Sequence, residues 1–166
     1  MNSNGITITF KGEIGDIFRR LRNTGHVEVG VIGKGKKTKK DEVSVAYYGS
    51  VHEFGWPPSG IPMRSFLRRP LKRFLPKYMK EHMKAIIKKI EAGKEEEVLN
   101  KIGTQAKNIV IEAFKTHGAY GEWPKLKPET IERKTKNGRK GDAILIDSGA
   151  LRQSIDYRVV FKENRK

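Results

Sequence analysis

Glu95-Glu96-Glu97-Val98-Leu99-Asn100-Lys101-Ile102-Gly103-Thr104-Gln105-Ala106-Lys107-Asn108-Ile109-Val110-Ile111-Glu112-Ala113-Phe114-Lys115-Thr116 decides the fold. Val98, Leu99, Ile102, Ala106, Ile109, Val110, Ala113 and Phe114 recur at spacings of three and four, which predicts one long helix with a continuous apolar face. Its three leading glutamates complement the positive end of the helix dipole. Upstream, Gly93 separates it from a second helical pattern running from Pro70 to Ala92, with Leu71, Leu75, Met79, Met83, Ile86, Ile87 and Ile90 on one side. Pro70 suits the first turn of that helix, and Pro76 predicts a kink or restart. Two amphipathic helices in succession predict the main core layer.

Working outward, the ends of the chain change period. Ile6-Thr7-Ile8-Thr9-Phe10 alternates with period two, and so does His26-Val27-Glu28-Val29-Gly30-Val31-Ile32, so both read as strands. Between them Ile14, Ile17, Phe18 and Leu21 fall at helical spacing over 12–22, and Asn23-Thr24-Gly25 predicts the break. Tyr157 to Phe161 reads as a closing strand. Strands at both ends of a helical middle give an α+β class: a small mixed or antiparallel sheet packed on two long amphipathic helices, with short helices added. At 166 residues the chain is one domain, 1–166.

The connections are punctuated by charge, proline and glycine. Residues 33–41 hold five lysines, two glycines and nothing apolar, so 33–42 reads as a mobile basic loop. Val43 to Phe54 reads as a helix with Val43, Tyr47, Val51 and Phe54 as its apolar stripe and Gly55 as its stop. Trp56-Pro57-Pro58-Ser59-Gly60-Ile61-Pro62 is a rigid turn. A short helix is expected from Pro128 to Lys134, then a second mobile basic loop over 134–142. Asp147 or Ser148 can cap one turn leading to Ile155, and 162–166 reads as a flexible tail.

Composition narrows function. The chain has no cysteine, which removes disulfides and thiolate chemistry. Without an apolar run near the ~20 residues a membrane helix needs, and with Met1-Asn2-Ser3-Asn4-Gly5 lacking a signal-peptide pattern, a soluble protein is expected. A formal charge of +16, from 35 Lys and Arg against 19 Asp and Glu, favours DNA, RNA or acidic protein surfaces as partners. Without a zinc finger or an RNA-recognition aromatic motif, any nucleic-acid contact is expected to be with phosphates and insensitive to sequence.

The residues that suggest chemistry each have a plainer reading. Gly30-Val31-Ile32-Gly33-Lys34-Gly35-Lys36-Lys37 follows a strand and approaches a phosphate-binding loop. Lys37 nevertheless stands where magnesium needs Ser or Thr, and the run of lysines disfavours the helix start such a loop requires. His52-Glu53 opens like a zinc-protease helix, but position 56 is Trp56; His26, His52, His82 and His117 are scattered without ligand spacing. Ser148 and Ser154 lack a nucleophile-elbow pattern. No enzyme, cofactor, metal or small-molecule substrate is expected. Trp123 reads as a core anchor covered by Leu126 and Ile131, while Trp56 divides evenly between core and surface.

Four short segments, in order, then carry a resemblance: Glu53-Phe54-Gly55; Pro62, Arg64, Phe66 and Leu67; Trp123, Leu126 and Thr130; and Leu145, Ile146, Ser148, Gly149, Leu151, Ser154 and Ile155. Their order and spacing over Val43 to Phe161 resemble the tail-completion, or virion-morphogenesis, proteins of tailed bacteriophages and the minor tail proteins akin to them. Ser65 departs from the pattern, where the family often has proline. The resemblance implies a non-catalytic virion protein of the neck, assembled in the host bacterial cytoplasm, with no membrane partner. It implies a homo-oligomeric ring around the DNA channel, of six copies in relatives, between the head connector and the tail terminator or tail tube. Such a ring would carry about +96, whereas a layer about 30 Å thick encloses only about 18 duplex phosphates at one per ~1.7 Å. Most lysines therefore meet solvent or acidic protein, and Lys34, Lys36, Lys37, Lys39 and Lys40 are the candidates for DNA-channel or acidic-partner contact. A sequence-nonspecific nucleic-acid-binding protein is the alternative.

Overall fold

The computed structural model describes residues 13–32, 44–118 and 122–162. The strand expected over Ile6–Phe10, the lysine loop with Lys34, Lys36, Lys37, Lys39 and Lys40, and the tail beyond 162 lie outside the described residues. The described elements are α1 (Glu13–Thr24), β1 (Gly25–Val31), α2 (Val45–Phe54), α3 (Arg68–Glu81), α4 (Met83–Glu91), α5 (Glu95–Lys115), α6 (Pro128–Lys136), α7 (Ala150–Gln153) and β2 (Ile155–Phe161). They form an α+β fold with a two-stranded antiparallel sheet, in register from Gly25 opposite Phe161 to Val31 opposite Ile155.

α5 is the axis. Its apolar face is buried at Val98, Leu99, Ala106, Ile109, Val110, Ala113 and Phe114, and both strands and α3 pack on it. Glycine inside a helix costs about 1 kcal/mol relative to alanine, yet Gly103 sits in the middle of α5 because a Cβ there would overlap the Tyr157 ring of β2. The sheet lies against the helix at that point. Alternation puts Val27, Val29 and Val31 on one face of the sheet, and along that face Val27 and its partner Val159 pack on one cluster while Val29 and Val31 pack on the other. Across the strands Arg158 Nε bonds its register partner Glu28 at 2.6 Å.

The core has two centres along α5. Leu21, Met79, Ile86, Ile90, Val98 and Leu99 close one end, where α1 and α4 meet the first turns of α5. Phe66, Leu71, Val110, Phe114, Trp123, Ile144 and Ile155 are among those that close the other, and Leu75 of α3 packs against both.

Several boundaries differ from expectation. α3 continues through Pro76 without interruption, and the restart falls at His82 instead. Pro76 removes the donor for the Lys72 carbonyl, but both residues are exposed and water can serve that carbonyl. At His82 the backbone leaves helical values, its N–H donates to Tyr78 O, and its ring stacks on Tyr78 at 4.2 Å. α1 continues to Thr24 and β1 starts at the next residue, without the expected break. α6 extends to Lys136, so Lys134, expected where the helix gives way to the loop, lies inside the helix and is buried.

The larger correction concerns α2. Of its expected stripe, Val43 lies outside the described residues, Tyr47 and Phe54 are 53% and 60% exposed, and Val51 is half-buried. The helix turns Gly49 and Glu53 inward instead.

Candidate functional site

Glu53, in the last turn of α2, is buried because its carboxylate meets a concentration of donors that nothing else serves. Oε2 accepts from the backbone N–H of Phe66 and of Leu67, both at 2.9 Å. Oε1 accepts from Ser65 Oγ at 2.7 Å, from Arg68 N at 3.1 Å and from Arg68 Nε at 3.0 Å. These N–H groups are the unpaired donors at the start of α3, whose own N-terminal residue Leu67 supplies no side-chain cap. A carboxylate at a helix N-terminus is favoured by the helix dipole as well as by the hydrogen bonds. Ser65 Oγ also accepts from Arg69 N at 3.1 Å, so the departure from proline in the motif gains an N-terminal contact for α3.

Arg64 ties in the third segment. It is buried, and its Nε and Nη2 donate to the carbonyls of Pro124 and Lys125 at 3.0 and 3.1 Å, while its backbone N–H donates to His52 O at 2.7 Å. Burial pushes the guanidinium pKa down from its ordinary value. Trp123 completes the knot: its Nε1 donates to Ser65 O at 3.2 Å, and its ring meets Phe114 edge-on at 5.8 Å. Gly118, at φ 97°, passes under that ring where a Cβ would overlap it. Trp123 is therefore a core anchor as expected. Leu126 packs against the same cluster, whereas Ile131, expected to help cover the ring, is exposed.

His52 stands beside this knot with a buried Nδ1 that has no hydrogen-bond partner. Burial first, and the neighbouring Arg64 charge second, hold its pKa below the ordinary histidine value.

The fourth segment joins through packing. Leu145, Ile146 and Leu151 lie against the core that contains buried Ile155, and Ser154 Oγ donates to Leu151 O at 2.8 Å. Lys134 holds this segment to α6: its Nζ donates to the carbonyls of Ala143 and, at 2.9 Å, Ile146. Burial lowers the pKa of that ammonium, against the pull of Asp147 and Asp142. Ser148 is exposed and accepts from Ala150 N at 3.3 Å; Gly149 is buried just before α7. Thr130, in the first turn of α6, is half-buried, and its backbone N–H donates to Lys127 O.

Glu53, Arg64, Phe66, Trp123 and Ile155 thus meet in or beside one core, with Pro62 and Leu67 half-buried beside them. Phe54 is turned outward. Tyr47 and Tyr48 of the same helix, Trp56 (48% exposed) in the turn after it and Met63 just beyond are exposed as well, an aromatic surface around the α2 stop in which the Tyr47 and Tyr48 rings meet edge-on at 6.4 Å. The Trp56–Ile61 bridge holds that turn through Trp56 N to Ile61 O at 2.8 Å and Ile61 N to Trp56 O at 3.1 Å. Ser65 and Lys134 stand within the second and third segments of the sequence, but their part in tying the segments together was not legible there. One signal was present for Glu53: it is the sole carboxylate between Ser44 and Lys80, a span with seven Lys and Arg.

Among the described residues no group of three or more His, Asp or Glu could hold a metal ion, and no helix is long and apolar enough to cross a membrane. No family model, curated protein or solved structure matches this chain.

Proposed function

We propose that this chain is a structural component of a tailed-bacteriophage virion, a neck protein that completes the tail and joins it to the head connector as one subunit of a ring. The observation that carries the reading is the knot itself. Segments whose order and spacing resemble tail-completion proteins are tied together by Glu53, Arg64 and Trp123, and the outer side of the knot presents Tyr47, Tyr48, Phe54, Trp56 and Met63 to solvent. Exposed aromatics on a rigid frame suit an interface whose partner removes them from water. The motif residues then act as scaffold, and the aromatic surface beside them makes the joint. No turnover is part of this role.

Deleting the gene from the phage genome that encodes it is expected to give DNA-filled heads and separate tails in electron micrographs. Trp56→Ala, which removes an exposed ring, is expected to reproduce that defect while stability changes by no more than about 0.5 kcal/mol. Joined, infectious particles from the deletion would end the proposal.

A second reading, sequence-nonspecific nucleic-acid binding, is favoured by one observation. Lys72, Lys80, Lys84 and Lys88 on the outer side of α3 and α4 are exposed and form no ion pair among the described residues. That reading requires duplex affinity falling steeply between 50 and 200 mM salt; flat binding eliminates it.

A further inference from the structure

Beside the aromatic surface, α2 and the start of α3 enclose an open groove of about 420 Å³. Its floor is apolar, built from Val31, Gly49, Phe66 and Leu67, and its rim carries Phe54 and Arg68. We infer that this groove is the seat of an acidic protein segment, one that inserts an apolar side chain over Phe66 and Leu67 and sets a carboxylate on Arg68. The inference deepens the assembly reading and rests on it for the partner being a neighbour in the particle; the chemistry of the segment rests on the groove.

Arg68 is fixed in place before any partner arrives. Its Nε is held by Glu53 at 3.0 Å, its guanidinium lies over the Phe54 ring at 4.2 Å, and its side chain is still 48% exposed. A guanidinium restrained along one edge and backed by an aromatic face leaves its outer edge directed to incoming carboxylate oxygens. Glu53 cannot compete for that role, since five donors already surround it. From Ser44 to Lys80 no other Asp or Glu occurs, while Arg69, Lys72 and Arg73 follow directly on α3. Glu53, the one carboxylate in the groove lining, is spent on those five donors, and of the approach residues Arg73 is paired with Glu122 while exposed Arg69 and Lys72 form no ion pair among the described residues, so charge complementarity calls for an acidic occupant.

A second copy of this chain fits less well. Each copy brings +16, and two of the three glutamates in the compact acidic run at the start of α5 are engaged within their own chain: Glu95 by Arg20, and Glu97 by Lys89 and Lys94. Duplex DNA also fits less well, because its phosphates have no use for an apolar floor and its bases are stacked out of reach.

The test is panning a random twelve-residue peptide display library on the full chain at 150 mM salt, in parallel with the variant Ser50→Glu. Ser50 is exposed on the groove side of α2, so this change adds a carboxylate to the groove without touching Glu53. The expected result is a consensus with Asp or Glu flanking Leu, Phe or Trp. Synthetic peptides of that consensus should bind at least tenfold more weakly to Ser50→Glu and to Arg68→Gln, and shift the amide resonances of Ser50, Leu67 and Arg68. No enrichment, a consensus without carboxylates, equal binding to Ser50→Glu, or displacement from the same amides by a 20-base-pair duplex would overturn the inference. So would concentration-dependent self-association that Ser50→Glu abolishes. Joined particles from the gene deletion would end the neck reading and leave a peptide result at the groove standing.

Discussion

Replacing Glu53 by alanine removes the acceptor for five donors at once. Phe66 N–H is fully enclosed, Leu67 and Arg68 N–H are partly so, and Ser65 Oγ is buried with its residue. A buried donor left unsatisfied costs about 1–3 kcal/mol, whereas one that water can reach costs much less. The half-exposed Arg68 side chain re-solvates, so its ion pair adds little to the sum. One enclosed and two partly enclosed amides, with the hydroxyl, give a loss of about 3–5 kcal/mol. Domain stability is about 5–15 kcal/mol, so Glu53→Ala removes a large share of it. With a urea m-value of about 2 kcal/mol/M, the unfolding midpoint followed by circular dichroism should fall by about 2 M. Glu53→Gln keeps the volume and one carbonyl but turns an NH2 toward donors, and should fall about half as far. A shift of less than ~0.5 M for alanine, or a glutamine variant equal to the parent, would refute the claim that this carboxylate holds α2 to α3.

Gly103→Ala raises helix propensity by about 1 kcal/mol yet should destabilise by about 1–3 kcal/mol net, because the new methyl overlaps the Tyr157 ring; adding Tyr157→Val should recover most of the loss in the same denaturation assay. Lys134→Met leaves the Ala143 and Ile146 carbonyls without their ammonium donor, and a loss of about 2 kcal/mol is expected; an unchanged midpoint would mean that water replaces the amine without penalty. His52 has a folded pKa below 6.5, so the unfolded chain takes up a proton that the fold resists. Stability should therefore fall as pH drops below about 6.5 and level off once the folded state is protonated as well. His52→Phe should flatten the melting temperature between pH 7.5 and 5.5, and an unaltered slope would assign that pH dependence to other groups.

Periodicity made α5 legible almost to the residue, because every inward position there is apolar or Gly103 and the spacing of three and four is unbroken. The same rule reversed the face of α2. There the inward group is a carboxylate whose burial depends on amide donors thirteen to fifteen residues away, and a hydrophobic pattern cannot register that need. Pro76 misled for a related reason: proline disrupts a helix only when the freed carbonyl is sealed from water, and exposure is a tertiary property. Trp123 and Trp56 have the same neighbour, proline, and opposite fates. Trp123 finds Phe114, Gly118 and the Ser65 carbonyl, while Trp56 sits on a turn held by its own backbone bridge and needs no cover.

This division bears on how the motifs and the function are related. Glu53, Arg64 and Trp123 hold backbone groups of other segments at fixed distances, and none of those contacts leaves the chain. Any sequence that keeps this knot needs a carboxylate, a guanidinium and an indole at these places, whatever the frame is joined to. Partner choice must reside in side chains outside the knot: Tyr47 and Trp56 on the surface, and Ser50 in the groove. Arg68 and Phe54 stand on the boundary, since the first is anchored by the knot and the second packs on the first. Substitutions at Tyr47 or Trp56 should therefore change what is bound with little change in folding, and substitutions at Glu53 should do the reverse. Arg68 is where the two effects meet: Arg68→Gln should weaken the acidic peptide severely while costing the fold less than about 1 kcal/mol, because the pair it makes with Glu53 is half in solvent. An Arg68→Gln protein that unfolds as readily as Glu53→Ala would place Arg68 wholly within the scaffold and remove the distinction between frame and docking face.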